Sequence, residues 1–131
     1  MVLSKKVRSG ESLGRFLTQS KHFARVKNEV RFKAFMPPKN LKLSVQRIDE
    51  LTIDEVWVLG KQVVSEMPEP NPLLYGVADI KAGVIERVNL IVSPDKFPSR
   101  HANINNWPSD IAEQLSIALE LAAEAKLILI P

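Results

Sequence analysis

Hydrophobic and polar positions change their spacing several times in the first third of the chain. Apolar residues recur at helical spacing over residues 11–22, which predicts a short first helix. Apolar and polar residues then alternate over 30–36 and again over 41–46, on either side of Pro37 and Pro38. Because alternation is the signature of a half-buried strand, this part of the chain predicts an antiparallel hairpin.

The middle of the chain carries the clearest local signature, the sequence Thr52-Ile-Asp-Glu55. A threonine followed three residues later by glutamate is a capping box, in which each side chain bonds the backbone amide of the other residue. We therefore predict a helix over about residues 53–66. Gly60 lies inside it and costs about 1 kcal/mol relative to alanine in a helix, which indicates a close packing contact at that position.

The remaining pattern predicts two strands, a long loop, a helix and a last strand. The strands span about 74–82 and 84–92, with Gly83 as the turn between them. Residues 93–108 show no period and are interpreted as a loop. A helix over about 110–125 follows, capped by Ser109 or Asp110, with Ile111, Leu115, Ala118, Leu119 and Ala122 on its buried face. The apolar run of 126–131 predicts a strand placed centrally in the sheet.

The predicted element order is α-β-β-α-β-β-α-β. Since the strands come in adjacent pairs, this order indicates an α+β fold with a mixed or antiparallel sheet of about five strands and about three helices. A chain of 131 residues has the size of one domain, so we assign 1–131 to a single domain with 1–8 as a mobile basic arm.

Composition excludes several classes of site. The chain has no cysteine and only two histidines, His22 and His101, so disulfides and zinc sites are not expected and no metal or cofactor is assigned. The longest nearly apolar stretch, 117–123, is far shorter than the ~20 residues that span a bilayer. We expect a cytoplasmic, bacterial protein with no membrane partner.

Charge is distributed unevenly along the chain. Residues 1–47 carry twelve Lys/Arg and two Glu, a net +10, whereas the other 84 residues carry six Lys/Arg and thirteen Asp/Glu, a net −7. Such asymmetry is typical of a surface for nucleic acid or an acidic protein, and equally of two halves that attract each other within or between subunits. The residues proposed for this basic surface are Lys5, Lys6, Arg8, Arg31, Lys33 and Lys42.

The predicted loop concentrates side chains that can do chemistry. His101 can exchange a proton near neutral pH, and Arg100 and Arg31 can hold phosphate, so the three are candidate catalytic residues. Asn103, Asn105, Asn106 and Trp107 are candidate ligand-binding residues. The alternative is that the asparagines bond the backbone of the loop and the tryptophan fills the core.

Asp79 is a further candidate ligand-binding residue, because it lies in the otherwise apolar strand Val77-Ala-Asp-Ile. A carboxylate in such a strand needs a partner or solvent. We expect it at a sheet edge or in an ion pair with Arg87, His101 or a basic group of the N-terminal third.

The segments Arg31-Phe-Lys-Ala-Phe-Met-Pro37, Leu43-Ser-Val45, Arg100-His-Ala-Asn-Ile104 and Trp107-Pro form a pattern that resembles small uncharacterised bacterial proteins. The resemblance covers about residues 30–131 and implies no activity and no role for any residue.

Three functions remain open on the sequence. The first is a non-enzymatic module that binds a nucleic acid or an acidic protein through the basic third. The second is a small metal-independent nuclease or nucleotide-processing toxin that uses Arg100 and His101. The third is a structural homo-oligomer in which the basic part of one chain meets the acidic part of another.

Overall fold

A six-stranded antiparallel sheet organises the chain in the computed structural model, which describes residues 3–68, 72–97 and 99–131. The strands lie in the order β6-β7-β4-β1-β5-β8. Their bounds are β1 Ser12–Leu17, β4 Leu43–Arg47, β5 Gly76–Lys81, β6 Ile91–Pro94, β7 His101–Asn105 and β8 Lys126–Leu129. A separate small hairpin joins β2, Phe23–Ala24, to β3, Glu29–Val30.

Helices cover the two faces of the sheet unequally. α1, Ile53–Ser65, packs on one face, where its Val56 and Trp57 meet Phe16 and Val77. The opposite face carries the larger core beneath α2, Ala82–Arg87, α3, Ile111–Glu124, and the 3-10 turn Phe32–Phe35. A second 3-10 turn, Ser20–His22, precedes the small hairpin. The two helical layers therefore enclose the β1–β5–β8 half of the sheet.

The other half of the α1 face, over β4, β7 and β6, is polar. Register places six polar side chains there. Ser44 and Gln46 of β4 pair with Asn103 and His101 of β7. Asn103 pairs in turn with Ser93 of β6, and Asn105 pairs with Ile91 of the same strand. Their neighbours on the strands, such as Val45, Ala102 and Ile104, point into the core. We call this surface the polar sheet face; it consists of Ser44, Gln46, Ser93, His101, Asn103 and Asn105.

The predicted α+β class is confirmed, with three helices and a six-stranded sheet in place of five strands. The capping box is present: Thr52 Oγ1 accepts from Glu55 N, and Glu55 Oε1 accepts from Thr52 N. Hydrogen bonding by the backbone and the side chain of Thr52 lowers the pKa of the Glu55 carboxyl. Asp110 caps α3 by accepting from the amide of Glu113. The strand predictions for β4, β5 and β8 are also confirmed.

The predicted first helix, residues 11–22, is wrong. The segment forms β1 in the centre of the sheet, and the 3-10 turn follows it. Leu13 and Leu17 enter the larger core while Phe16 enters the core under α1, so the strand is buried on both sides. A strand buried on both faces loses the alternation of polar residues, and its apolar spacing can then mimic a helix.

The first strand of the predicted hairpin, residues 30–36, is also wrong. Only Val30 belongs to a strand, and residues 32–35 form a 3-10 turn. Consecutive Ala34 and Phe35 are both fully buried, which a half-buried strand does not permit. The turn packs on α3, and this tertiary contact overrides the local alternation.

Residues 82–108 differ most from the prediction. Gly83 lies within α2 rather than in a turn, and the predicted strand 84–92 becomes α2 and the start of β6. The supposed loop 93–108 contains the end of β6 and all of β7. β7 shows the alternation of a half-buried strand, since Ala102 and Ile104 are buried between three partly exposed polar residues.

Two placements at the C-terminus need correction. β8 is an edge strand rather than a central one, because it pairs with β5 alone. On α3, the buried residues are Gln114, Ala118, Leu121 and Ala122, whereas Ile111, Leu115 and Leu119 are 70%, 37% and 51% exposed. Residues 111–124 thus present an apolar stripe to solvent. Within the described residues, no helix has the length and apolarity to cross a bilayer.

Candidate functional site

The basic residues proposed as one surface lie at two opposite ends of the sheet. β1 and β4 run antiparallel, so Leu13 near the start of β1 pairs with Arg47 at the end of β4. The segment with Lys5, Lys6 and Arg8 precedes β1 and lies near that end. Residues 18–42 connect the end of β1 to the start of β4 and lie at the other end, about 20 Å away along a six-residue strand.

Positive charge is concentrated at the second of these ends. Residues 18–42 contain seven Lys/Arg and one Glu, and all seven cations are exposed. None of the seven forms a salt bridge within the described part of the chain. We call this surface the basic end; it consists of Lys21, Arg25, Lys27, Arg31, Lys33, Lys39 and Lys42.

The electrostatics of the basic end are visible at His22. Its ring is buried, and Nδ1 accepts from the amide of Thr18 at 3.3 Å. Burial, together with the charges of Arg15 and Lys21, lowers the pKa of His22 from 6.5 to about 4. The imidazole is therefore neutral at physiological pH and adds no positive charge beside Arg15 and Lys21.

The first residues are attached to β4 through a buried guanidinium. Arg47 is 0% exposed; it donates to Glu11 Oε2 and Oε1 at 2.6 and 2.9 Å and to the carbonyl oxygens of Ser4 and Lys6 at 2.6 and 3.3 Å. The hydrogen bonds with Glu11 raise the pKa of Arg47. Residues 4–6 of the predicted arm thus have defined backbone contacts, and Met1 and Val2 lie outside the described residues. The mobility of the arm stays a prediction.

The three candidate catalytic residues do not converge. Arg100 Nη1 donates to Arg47 O and to Glu50 Oε1, so the Arg100 guanidinium is paired with a carboxylate. Arg31 lies at the basic end, where its amide donates to His22 O at 2.9 Å. His101 lies on the polar sheet face. No hydrogen bond or ion pair joins these three side chains in the residues that the structure describes.

His101 instead connects two residues that the sequence did not single out. Its Nδ1 lies 2.9 Å from Asp95 Oδ2, and its Nε2 lies 3.1 Å from Ser44 Oγ. Asp95 follows β6 directly and donates its amide to His101 O at 2.9 Å, which fixes the two residues side by side. Period-two alternation in His101-Ala-Asn-Ile-Asn105 was the available signal, because it would have predicted β7 and its polar side.

Some of the other candidate residues of the predicted loop have hydrogen-bond partners for their side chains, whereas others have polar side-chain atoms without a partner among the described groups. Trp107 is buried and donates Nε1 to Ile104 O at 3.0 Å, in agreement with a packing role. Asn106 Nδ2 donates to Asn89 O, and Asn105 Nδ2 donates to Ser93 Oγ. Asn105 Oδ1 is buried without a partner among the described groups. Asn103 has no hydrogen bond from its side chain within the same residues.

Asp79 is placed at a cleft between β5 and the start of α1. The cleft has a volume of about 220 Å³ and is lined by Ser12, Asp49, Val56 and Asp79 among others. Asp79 forms none of the expected ion pairs with described residues, and its Oδ1 is buried without a partner. Its neighbour in register on β8 is Lys126. No group of three or more metal-binding side chains occurs anywhere in the described ranges.

In comparisons with known proteins, no family model, no curated protein and no solved structure matches this chain.

Proposed function

We propose that this protein binds nucleic acid through the basic end, and that this surface takes no part in catalysis. One observation carries the proposal: seven exposed Lys/Arg side chains lie at one end of the sheet with no salt bridge to a described carboxylate. Cations held together without internal partners attract polyanions, and neutralising phosphates releases counterions from the nucleic acid. A cytoplasmic setting belongs to the same proposal.

The small hairpin gives the basic end its shape. Arg25 and Lys27 lie in the turn between β2 and β3, and Lys21 precedes β2. Phe23 is held by Tyr75, with ring centroids 5.5 Å apart, and the Arg25 guanidinium lies 5.8 Å from the Phe23 ring. These contacts fix the base of the hairpin to the sheet. The cations are thus presented on an ordered element and not on a free tail.

Direct binding measurements on the full chain test the proposal. We expect saturable binding to RNA or DNA, with a log–log salt slope of about −3 to −5 if four to six phosphates are neutralised. Single-stranded RNA, duplex RNA and duplex DNA of equal length should be compared at the same salt concentration. Equal binding to polyglutamate would show charge attraction without preference for nucleic acid and would overturn the proposal in favour of an acidic protein partner.

Two triple variants distinguish binding at the basic end from a general effect of the protein's net charge. The first, Arg25→Gln, Arg31→Gln and Lys33→Gln, should lower the affinity about tenfold or more and reduce the salt slope by about two to three. The control, Lys5→Gln, Lys6→Gln and Arg8→Gln, removes the same charge at the opposite end of the sheet. We expect the control to retain nearly full affinity. Equal losses in both variants would contradict a localised surface.

A homo-oligomer is the second candidate function, and the exposed stripe of α3 favours it. Ile111, Leu115 and Leu119 recur every four residues on one side of the helix, and Glu113, Glu120 and Glu124 are also exposed. We propose a second copy of the chain as the occupant, because its basic end complements these glutamates.

A further inference from the structure

We propose that the polar sheet face holds a second function, in which Ser44 is the nucleophile of an acyl transfer from an uncharged carboxylic ester. The hydrogen-bond chain Asp95–His101–Ser44 carries this inference, with 2.9 Å between Oδ2 and Nδ1 and 3.1 Å between Nε2 and Oγ. A hydroxyl within reach of an imidazole that a third group orients is the arrangement that activates serine nucleophiles.

Polarity alone does not distinguish this face, since one side of an antiparallel sheet commonly faces water. The distinguishing feature is connectivity: the two nitrogens of one imidazole contact a carboxylate and a hydroxyl. When Asp95 accepts the proton on Nδ1, Nε2 is left as the acceptor that faces Ser44. Ser44 is exposed, so an external ester can reach its oxygen.

The backbone at Ser44 is held from the opposite side of the sheet. Arg15 Nη1 donates to Ser44 O at 3.1 Å, and Arg15 Nε donates to Ala34 O at 2.8 Å. Register with β7 places Asn103 directly across from Ser44 on the same face. Cross-strand neighbours have Cβ atoms about 4.5–5.5 Å apart, so the Asn103 amide is placed to donate to an oxyanion formed at Ser44.

Charge at the site selects the class of substrate. Asp95 contributes a carboxylate, and the nearest arginine in sequence, Arg100, is already paired with Glu50. The Asp95 carboxylate would repel a phosphodiester bound at Ser44. An ester carbonyl is uncharged in its ground state and is not repelled in this way, which favours acyl transfer over phosphoryl transfer at His101.

The proposed reaction balances with water as the co-reactant. Ser44 Oγ bonds to the carbonyl carbon while its proton passes to His101 Nε2, and the bond to the leaving alkoxide breaks as Nε2 returns that proton to it. Water then attacks the acyl carbon and gives its proton to Nε2. Cleavage of the bond to Ser44 releases the acid, and Oγ recovers the proton. The sum is ester plus water to acid plus alcohol.

Acylation of the full chain by p-nitrophenyl acetate tests the proposal, with peptide mass spectrometry to locate the acetyl group. We expect acetyl-Ser44 in the wild type, none at this position in Ser44→Ala, and acylation about a hundredfold slower in His101→Gln. Ser93→Ala is the matched control, because Ser93 lies on the same face and contacts Asn105 instead of His101. Acetylation of lysines alone, or a rate at Ser44 unchanged by His101→Gln, would overturn the proposal.

Asp95 is a positioning residue, because it orients the imidazole of His101. Its test therefore compares the maximal acylation rate with the ester concentration at half-saturation, since loss of structure would not change the rate alone. Asp95→Asn should lower the maximal acylation rate about tenfold or more while half-saturation by the ester is unchanged. Nucleic-acid binding should be unchanged in all of these variants, so the two proposals can fail separately. RNA cleavage that requires His101 but not Ser44 would assign the site to phosphoryl chemistry instead.

Discussion

His22 shows how the fold alters the ionisation of a single residue. Burial, Arg15 and Lys21 lower its pKa to about 4, whereas the ordinary value is 6.5. Between pH 6.5 and about pH 4, His22 is protonated in the unfolded chain and neutral in the folded chain. Stability from this group is therefore fully present above pH 6.5 and decreases as the pH falls from 6.5 towards 4.

We expect the loss across this window to reach about 3 kcal/mol, from about 1.4 kcal/mol per pKa unit. His22→Asn keeps an acceptor near the amide of Thr18 and should flatten the dependence of unfolding free energy on pH between 6.5 and 4. Denaturant titrations of both proteins at several pH values measure the difference. In a protein that retains His22, Lys21→Gln should raise the pKa of His22 measured by NMR titration. An unchanged pKa would contradict the charge effect assigned to Lys21.

Gly60 confirms a packing role that the sequence indicated. A Cβ at this position would lie 2.7 Å from Phe16 Cε1 and 3.0 Å from Leu74 Cδ2. Gly60→Ala should therefore destabilise the protein by about 1–3 kcal/mol, although alanine favours the helix by about 1 kcal/mol. Thermal or denaturant unfolding measures this change.

Phe16→Leu offers the control for Gly60, because a smaller side chain leaves room for the new methyl group. In the double variant the cost of Gly60→Ala should decrease by about 1 kcal/mol or more. If Gly60→Ala raised the stability, helix propensity would outweigh the contact and the packing interpretation would be wrong.

At the scale of elements, the buried pair of Arg47 and Glu11 fastens the first segment to β4. Their side chains are 0% and 10% exposed, and the guanidinium also binds two backbone oxygens of residues 4–6. Glu11→Ala leaves a buried cation without its anion, so we expect a loss of about 3–5 kcal/mol. Limited trypsin digestion should also cut faster at Lys5, Lys6 and Arg8.

The matched control is Glu50→Ala, which removes the salt bridge between Glu50 and Arg100. This salt bridge is more exposed than that of Arg47 and Glu11, because the Arg100 side chain is 29% exposed. Water screens that pair, and its loss should cost about 1 kcal/mol or less. Similar losses in the two variants would argue against burial as the source of the effect at Glu11.

At the scale of the whole molecule, the charge split along the sequence does not produce paired halves. Among the described residues, the salt bridges between side chains of fixed charge are Arg47–Glu11 and Arg100–Glu50, and His101 is hydrogen-bonded to Asp95. None of these contacts joins the basic end to the acidic C-terminal part. The basic end and the acidic C-terminal part can therefore each attract oppositely charged groups of a second molecule. This is the basis for both the nucleic-acid and the homo-oligomer proposals.

The homo-oligomer proposal predicts a size that depends on salt and on α3. Light scattering should give a mass above one chain at low salt, which decreases as salt is raised. Leu115→Glu with Leu119→Glu should give a monomer, whereas Val58→Glu, at an exposed position of α1, should not change the mass. A monomer at every salt and protein concentration would contradict the proposal.

Local signals in the sequence determined those parts of the fold whose stability is itself local. Thr52 and Glu55 bond each other across one helical turn, and Asp110 accepts a single hydrogen bond from the amide of Glu113 at the start of α3, so both helix starts could be predicted. The apolar run of β8 indicated a strand, and the order of the predicted elements indicated an α+β fold.

Only the tertiary structure decided the elements whose partners are distant in sequence. β1 is a strand because β4 and β5 pair with it from both sides, and α3 supports the 3-10 turn 32–35. Ser44, Asp95 and His101 meet through strand register, although 57 residues separate the outermost two. Likewise, the basic third divides between two ends of the sheet because β1 and β4 run antiparallel. Register and strand direction are properties of pairing, which no local pattern encodes.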